Sequence, residues 1–256
     1  MSEYVIKHGD CLELMKNIPN KSIDMILCDL PYGQTHNKWD SVIPMDILWE
    51  QYNRIIKDNG AIVLFASGIF THKLVVSNMK YFRYSLVWDK VRTTGFLNAN
   101  RMPLRRHEDI LVFYKSLPTY NPQMTEGGEP SHSRGTKWKD KGKAQDKGLT
   151  YSKYDHMDYS TSFDRTQKYP TSIIRVPNIV QKNVHPTQKP VELCEWLVKT
   201  YTDEGDLVLD NCMGSGSTGV ACLHTNRNFI GFELDENYFN IAKERLKKEM
   251  ETNEPR

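Results

Sequence analysis

The chain is organised around one short stretch, Asp24-Met25-Ile26-Leu27-Cys28-Asp29-Leu30-Pro31-Tyr32-Gly33. Its apolar run, residues 25–28, predicts a buried strand. Pro31 cannot continue a strand ladder, and it biases Leu30 towards an extended backbone. We therefore expect a carboxylate, a carbonyl group and an aromatic ring to lie together on a stiff loop. In open α/β sheets, loops of this kind at the carboxyl ends of strands form the binding sites.

This trio suits an amino group that is attached to a planar ring. The Asp29 carboxylate and the Leu30 carbonyl can accept both hydrogens of such an amine, and the Tyr32 ring can stack on its plane. The amine of adenine or cytosine is a poor nucleophile because its lone pair is delocalised into the ring. Two acceptors favour a pyramidal nitrogen and stabilise its developing charge. A strand-ending turn with an incidental aspartate is the alternative at this point.

Length and composition limit the class of protein. A chain of 256 residues can form one large domain, or a domain that carries an insert. The net charge of +2 means that any basic surface must be local. The five cysteines are scattered and form no C-x-x-C pair, so we expect neither a disulfide framework nor a metal site. The start of the chain has no signal-peptide pattern, and no apolar run has the roughly 20 residues that span a bilayer, so we expect a cytoplasmic protein.

Strand and helix patterns alternate along most of the chain. Apolar runs of strand length occur at 4–6, 25–28, 61–65, 84–88, 110–114, 207–209 and 229–232. Helical spacing of apolar residues predicts a helix over about 44–58, with Asn59-Gly60 as its end. The alternation predicts a doubly wound α/β fold, with a mostly parallel sheet and helices on both faces.

The middle of the chain has a different character. Residues 118–182 contain no long apolar run, and they are rich in glycine, lysine and aromatic residues. We interpret this part as a polar insert with little core of its own. It would divide a catalytic core into a first part, residues 1–117, and a second part, residues 183–256.

A glycine pattern follows the strand predicted at 207–209. Gly214, Gly216 and Gly219 fit G-x-G-x-x-G, and Glu233 ends the next predicted strand. Glycines allow close approach of the backbone to a ligand, and the carboxylate can accept both ribose hydroxyls, so a nucleoside-bearing cofactor is predicted. NAD and S-adenosylmethionine both qualify, whereas an ATP-type loop would need lysine where Val220 stands. No hydride-transfer site is evident, and the amine-binding trio suits methyl transfer.

Three motifs together resemble one family. Asp29-Leu30-Pro31-Tyr32 resembles the D-P-P-Y motif of the DNA amino-methyltransferases that modify adenine N6 or cytosine N4. Asp210-Asn211-Cys212-Met213-Gly214-Ser215-Gly216 resembles their D-P-F-x-G-S-G cofactor loop, and His185-Pro186-Thr187-Gln188-Lys189-Pro190 matches their H-P-T-Q-K-P segment in all six positions. The order of the motifs is similar to that of the β class, in which the insert is the target-recognition domain. The resemblance implies a Rossmann-like methyltransferase fold.

The resemblance implies two groups of site residues. The target-amine group is Asp29, Leu30, Pro31 and Tyr32, with Tyr32 stacking on the flipped base. The group that binds S-adenosylmethionine is Asp10, Cys11, His185, Thr187, Lys189, Asp210, Asn211, Cys212, Gly214, Ser215, Gly216, Ser217 and Glu233. Arg106-His107-Glu108 resembles a segment near the base pocket, and a polar lead-in to a strand is the alternative.

The chain departs from the family pattern at two places. Leu30 replaces the first proline of D-P-P-Y, which leaves the backbone carbonyl in place. Asn211-Cys212 replaces Pro-Phe, which reduces the apolar contact with the cofactor. Neither change removes a polar group that the chemistry needs. By analogy within the family, aspartate at position 29 favours adenine N6 over cytosine N4.

The sequence therefore predicts a site-specific DNA adenine-N6 methyltransferase of the restriction-modification type, which uses S-adenosylmethionine and flips its target base. We expect residues 118–182 to contact DNA, because lysines can neutralise phosphates and aromatic rings can stack on bases. Cytosine N4, RNA or a protein amide remain alternative substrates. A nicotinamide-dependent oxidoreductase and a non-catalytic DNA-binding module remain alternative classes. The recognition sequence, a homodimer and a cognate restriction endonuclease are left open.

Overall fold

The computed structural model describes residues 2–33, 42–126, 167–178 and 188–253. Two predicted site residues, His185 and Thr187, and most of the predicted insert lie outside these ranges. The strands are β1 (Tyr4–His8), β2 (Ile23–Cys28), β3 (Ile56–Ala66), β4 (Phe82–Thr94), β5 (Arg105–Phe113), β6 (Thr125–Glu126), β7 (Gln167–Lys168), β8 (Ile173–Arg175), β9 (Leu207–Asp210) and β10 (Asn228–Glu233). The helices are α1 (Cys11–Met15), α2 (Met45–Ile55), α3 (Ile69–Ser77), α4 (Val191–Tyr201), α5 (Ser217–His224) and α6 (Glu236–Asn253), with a short 3-10 helix at Phe96–Asn98.

Eight strands form one sheet in the order β1-β10-β9-β2-β3-β5-β4-β8. The strands from β1 to β3 pair in parallel, β5 is antiparallel to both of its neighbours, and β8 is parallel to β4. The predicted doubly wound, mostly parallel sheet is therefore confirmed. None of the helices in the part of the chain described is long and apolar enough to cross a membrane.

Strand β2 is central because both of its faces are buried. Met25 and Leu27 pack into a core cluster that includes apolar residues of α4, α5 and α6. Ile26 and Cys28 pack into a second cluster that includes residues of α1, α2 and α3. Successive side chains of a strand point to opposite faces, so a continuous apolar run fits a strand that is covered on both sides.

The strand order reverses between β2 and β9. From β2 the chain continues outward through β3, and from β9 it continues in the other direction through β10. Open α/β sheets bind ligands in the crevice outside the carboxyl ends of strands at such a switch point. Strand β4 runs parallel to β3, so its carboxyl end and the start of β5 lie at the same edge of the sheet.

The helix predicted over 44–58 is wrong at its carboxyl end. It ends at Ile55, and β3 begins with the next residue, so Asn59-Gly60 lies inside a strand. The pairing of β2 with β3 shifts register here, from Ile23↔Ile56 to Met25↔Ala61. A Cβ atom on Gly60 would lie 2.8 Å from the Asp24 carbonyl oxygen. Gly60 therefore marks a bulge with close backbone approach, not the end of a helix.

The chain divides into two compact units. The first comprises Met1–Gln123 and Thr171–Arg256, and the second is Met124–Pro170. In the second unit, β6 and β7 pair as a two-stranded antiparallel sheet. Within the predicted insert, β8 belongs to the first unit, where it pairs with β4. The boundaries and role of a target-recognition insert stay a prediction.

Candidate active site

A cavity of about 440 Å³ lies at the carboxyl edge of the sheet, in the first unit. The loop after β2 and the loop after β9 both line it. The predicted site residues on its wall are Asp10, Cys11, Asp29, Leu30, Pro31, Tyr32, Lys189, Asp210, Asn211, Cys212, Gly214, Ser215, Ser217 and Glu233. The two motifs therefore lie on the same side of the sheet, as the predicted chemistry requires.

The glycine loop has a backbone that favours glycine. Gly214 has φ +52° and Gly216 has φ +79°, and both values are in the left-handed region. Gly216 is not on the cavity wall. A Cβ atom added to it would lie 3.2 Å from the Ala242 Cβ atom, so this glycine allows the loop to pack on α6. Gly219 serves packing in the same way, because its added Cβ would lie 2.7 Å from the Phe229 ring.

The carboxylates beside this loop accept hydrogen bonds from neutral groups. Glu233 accepts from the backbone N–H of Gly214 and from that of Asp235, each at 2.8 Å. Burial raises the pKa of Glu233, although these backbone donors act in the opposite direction. Asp210 accepts from the Cys212 N–H at 3.1 Å and from the Thr218 hydroxyl at 2.7 Å. Burial raises the pKa of Asp210 to about 7.

Asp10 has a structural contact at the start of α1. Its carboxylate accepts from the Leu12 N–H at 2.8 Å and from the Glu13 N–H at 3.3 Å, which makes it the N-cap of the helix. Asp10 also lines the cavity, and its contact with the cofactor stays a prediction. The cap fixes the carboxylate at the end of β1, next to Cys11.

Asn211 and Cys212, which replace Pro-Phe, are positioned by a hydrogen bond from Tyr52, a residue of the second core cluster. The Tyr52 hydroxyl donates to Asn211 Oδ1 at 2.5 Å, and Asn211 Nδ2 donates to Cys212 Sγ at 3.5 Å. A hydrogen bond with Cys11, together with burial, raises the pKa of the Cys212 thiol well above its usual value. Cys212 is therefore a neutral thiol in the wall of the cavity.

Gln188 and Arg245 fasten the glycine loop from outside. Arg245 Nη1 donates to the Ser215 carbonyl at 3.1 Å and to Ser217 Oγ at 3.2 Å. With its amide oxygen turned towards Arg245, Gln188 accepts from Nη1 at 3.0 Å and donates to Ser215 Oγ at 3.3 Å. The H-P-T-Q-K-P segment thus contacts the loop through Gln188.

Asp29, the carboxylate predicted to hold the target amine, has charged and aromatic neighbours. Asp29 Oδ1 accepts from the Tyr32 hydroxyl at 2.7 Å, and Asp29 Oδ2 accepts from Lys189 Nζ at 2.5 Å. The Tyr32 ring stacks on Phe70 with 4.7 Å between centroids. Burial, with the charge of Asp29 as a second cause, raises the pKa of Tyr32 well above its usual value. The Leu30 side chain is buried in the second core cluster, which leaves its backbone to line the cavity.

Lys189 joins two carboxylates in one partly buried cluster. Its Nζ lies 3.3 Å from Glu108 Oε2, and Lys90 Nζ lies 2.9 Å from Glu108 Oε1. Burial alone would lower the pKa of Lys189, but the charges of Asp29 and Glu108 outweigh it and raise this pKa. Burial would raise the pKa of Glu108, but the two lysines lower it. The cluster of Asp29, Lys189, Glu108 and Lys90, called the charge cluster below, therefore holds two positive and two negative charges.

Several wall residues were not predicted from the sequence. Phe65 lies at the end of β3, with Lys189 Nζ 5.0 Å from its ring centroid. Trp88 and Lys90 also line the cavity, and the Trp88 indole donates to the Val176 carbonyl at 2.8 Å. Glu108, from the segment that resembles one near the base pocket, is on the wall as well. Trp88 and Lys90 reach the wall because β4 ends at the carboxyl edge of the sheet, and a single sequence does not give that topology.

The described residues contain no group of histidine, cysteine or acidic side chains arranged to hold a metal ion. The polar side chains on the cavity wall carry carboxylates, amides, hydroxyls, thiols, an indole and lysine ammonium groups. The arrangement can bind a planar amine on one side and a polar, nucleoside-bearing molecule on the other.

Comparison with known proteins identifies the family. The sequence model of the N6/N4 methyltransferases, described as DNA methylase, matches residues 23–244. The Type II methyltransferase M.HpaI of Haemophilus parainfluenzae is 26% identical, and the match covers 94% of this chain and 73% of that protein. The DNA adenine methyltransferase YhdJ of Escherichia coli (strain K12) is 27% identical, with coverage of 94% and 82%.

A solved structure extends the match to three dimensions. The crystal structure of the M1.HpyAVI–SAM complex has a TM-score of 0.62 and 26% identity, and covers 95% of this chain and 100% of that chain. The fold is that of an α/β methyltransferase. The chain belongs to the DNA methylase family.

Proposed function

We propose that this protein transfers a methyl group from S-adenosylmethionine to the exocyclic N6 of adenine in DNA. The observation that carries the proposal is that the loop of Asp29 to Tyr32 and the loop of Asp210 to Ser217 line one cavity. The match to the DNA methylase family and the adenine methyltransferase YhdJ among its relatives support the substrate.

The cofactor side of the cavity fits S-adenosylmethionine. The two left-handed glycines keep side chains off the loop, and Glu233 and Asp10 present carboxylates at the ends of β10 and β1. Carboxylates at these strand ends suit the ribose hydroxyls and the adenine of a nucleoside. When bound, the cofactor supplies an electrophilic methyl group. His185 and Thr187 stay predicted contacts outside the described residues.

The target side prepares the amine. Asp29 and the Leu30 carbonyl accept its two hydrogens, which localises the nitrogen lone pair as positive charge develops. No donor in the described ranges bonds to the Leu30 carbonyl, so this acceptor is available to a base. Asp29 can also receive the proton that the methylated amine must release. Tyr32 adds a ring for stacking.

Lys189 acts through Asp29 in this proposal. The resemblance assigned it to the cofactor, but its Nζ bonds to Asp29 Oδ2 and contacts Glu108. A fixed cation there sets the direction of the second carboxylate oxygen of Asp29. We therefore assign Lys189 as a positioning residue for Asp29.

A base inside a duplex hides its amine edge, so we propose that the target adenine is flipped into the cavity. Contact of DNA with residues 118–182 belongs to the same proposal, and so does a cytoplasmic location. A homodimer and a partner restriction endonuclease stay open predictions.

The test is methyl transfer from radiolabelled S-adenosylmethionine to unmethylated DNA, followed by digestion to nucleosides. We expect the label in N6-methyladenine. Label in N4-methylcytosine, or in RNA alone, would replace adenine as the substrate. Asp29→Ala should keep cofactor binding and lower the rate by at least about a hundredfold, because one acceptor of the developing charge is lost.

Asp58→Asn is the matched control, because Asp58 is an exposed carboxylate near the start of β3, at the opposite edge of the sheet. Its rate should equal that of the wild type. Undiminished transfer by Asp29→Ala would remove the assigned role of that residue.

A further inference from the structure

An exposed arm projects between β4 and β5. Every residue from Arg92 to Pro103 is exposed, including three large apolar side chains. Leu97 is 100% exposed, Phe96 is 71% exposed and Met102 is 53% exposed. Phe96 and Leu97 are adjacent on one 3-10 helix, and contiguous exposed apolar surface often marks an interaction site. Residues 92–105 are called the β4–β5 arm below.

The β4–β5 arm begins at the cavity. Lys90 and Thr94, on the last part of β4, are on the cavity wall. The pairing of β4 with β5 shifts between Asp89↔His107 and Thr94↔Arg105, which ends the regular ladder at this edge. Gly95, with φ +91°, turns the chain into the short 3-10 helix that carries Phe96 and Leu97. The exposed apolar pair is therefore close in sequence to the cavity wall.

The β4–β5 arm is also basic without local compensation. The sequence contains no acidic residue between Asp89 and Glu108, although the whole chain is nearly neutral. Arg106, just after the arm, is paired with Asp89. In contrast, Arg92, Arg101 and Arg105 have no ion pair with any described residue. Three guanidinium groups without an acidic partner among the described residues, on an arm that begins at the cavity wall, match a polyanion better than a protein surface.

We infer that the β4–β5 arm is a DNA-contact element, an inference that rests on the proposed function. Phe96 and Leu97 enter the base stack beside the target and fill the space left by the flipped adenine. Apolar side chains of other DNA-binding proteins unstack base steps in this way. Arg92, Arg101 and Arg105 bind the flanking phosphates and fix the register of the duplex.

The first experiment tests whether Phe96 and Leu97 enter the base stack as a wedge. The double variant Phe96→Ala/Leu97→Ala is compared with Val76→Ala/Met79→Ala, whose side chains are 69% and 70% exposed at the carboxyl end of α3 and just beyond it. The substrates are unmethylated linear duplex DNA of random sequence and the same DNA after heat denaturation. The wedge variant should lose about tenfold in rate on the duplex and less than about twofold on single strands, because flipping costs a few kcal/mol only in the stack.

The second experiment tests the phosphate contacts. Arg92→Gln/Arg101→Gln/Arg105→Gln is compared with Lys243→Gln/Lys247→Gln/Lys248→Gln, three exposed positions on α6. Binding to the same duplex is measured from low to high salt. Removing one arginine–phosphate contact should reduce the slope of log affinity against log salt by about 0.9, so the triple arginine variant should reduce it by nearly three. The control should keep the wild-type slope.

The outcomes separate this inference from the proposed function. If the wild type methylates DNA and both arm variants match their controls, the inference fails and the proposed function stands. If the wild type binds DNA without methylating any substrate, the proposed function fails, and the salt slopes still decide the role of the arm. A change in sedimentation of the arm variants with unchanged DNA binding would overturn the inference in favour of a contact between chains.

Discussion

Glu233 and Asp210 lie in the part of the cavity that is proposed to bind the cofactor, and both accept hydrogen bonds from neutral donors. Asp29 and Glu108 lie in the part proposed to bind the target base, and lysines contact both of them. The donors on the cofactor side are backbone N–H groups and one hydroxyl, and a change of rotamer cannot withdraw a backbone group. The charged donors on the target side, Lys189 and Lys90, stand on long side chains, and the Tyr32 hydroxyl is a neutral donor to Asp29 beside them.

The difference in donors goes with a difference in the pKa of the carboxylates on the two sides of the cavity. On the cofactor side burial dominates, and it raises the pKa of Asp210 and of Glu233. On the target side the lysines overcome burial and lower the pKa of Glu108. Neutral donors give a rigid frame for a bound nucleoside. In the charge cluster the two lysines hold Glu108 ionised, and Lys189 also contacts Asp29, the carboxylate proposed to stabilise the developing cation.

The largest effect is expected from breaking the charge cluster. Lys189→Met leaves Asp29 and Glu108 as like charges with only Lys90 to balance them. Removal of one partner from a buried ion pair costs about 3–5 kcal/mol. We expect a fall of that size in the free energy of unfolding, measured in urea, and methyl transfer reduced at least as strongly as in Asp29→Ala.

A double variant shows whether charge or packing causes this destabilisation. Lys189→Met combined with Glu108→Gln removes one charge of each sign, so it should be more stable than Lys189→Met alone. Lys189→Arg keeps the charge and should retain most of the stability. Its affinity for S-adenosylmethionine should equal that of the wild type if Lys189 acts through Asp29. A large decrease of cofactor affinity in Lys189→Arg would show that Lys189 contacts S-adenosylmethionine, as the resemblance implies.

The next effect is a pH dependence on the cofactor side. The folded pKa of Asp210, about 7, is above its ordinary value of 3.8, so the folded protein binds this proton more tightly than the unfolded chain. Its contribution to stability is therefore present at acid pH and lost as pH rises from about 4 to 7. Relative to Asp210→Asn, the wild type should lose on the order of 3 kcal/mol over that range, at about 1.4 kcal/mol for each pKa unit.

Urea denaturation of both proteins at half-unit steps of pH measures this difference, and other titrating groups cancel in the comparison. Asn can still accept from the Cys212 N–H, and its amide can donate to the Thr218 hydroxyl. Parallel curves for the two proteins between pH 4 and 7 would show that Asp210 titrates normally in the fold.

A smaller effect is expected when the hydrogen bonds from backbone N–H groups to Glu233 are disturbed. Glu233→Gln replaces one acceptor with an amide NH2 that faces the N–H of Gly214 or Asp235. An unsatisfied buried donor costs about 1–3 kcal/mol, so affinity for S-adenosylmethionine should fall by roughly tenfold or more in calorimetry. Glu236→Gln, an exposed carboxylate in the first turn of α6, is the control and should bind normally. Equal affinity of both variants for S-adenosylmethionine would show that Glu233 does not help to hold the cofactor.

The sequence predicted the loops on the cofactor side of the cavity better than it predicted the charge cluster, and the reason is physical. The strand ending at Asp29 and the loop around Gly214 follow local rules, because apolar runs, proline and glycine act on their own backbone. The Asp29–Lys189 contact joins residues 160 positions apart, and Lys90 with Glu108 enters it only through an antiparallel β5. Asn59-Gly60 failed as a helix end because a bulge uses the same glycine signal.

The smallest effect separates hydrogen bonding from stacking at Tyr32. Tyr32→Phe removes the hydroxyl that donates to Asp29 Oδ1 and keeps the ring on Phe70. A hydrogen bond to a charged group contributes about 1.5–3 kcal/mol, but Lys189 still holds the other oxygen of Asp29, so the effect should lie at the low end. We expect kcat to fall by about tenfold, with little change in KM for DNA, because stacking is preserved. Tyr32→Ala should raise KM as well, since base stacking is lost. If Tyr32→Phe and Tyr32→Ala behaved alike, the ring would have no role in holding the base, and the target side would depend on the charge cluster alone.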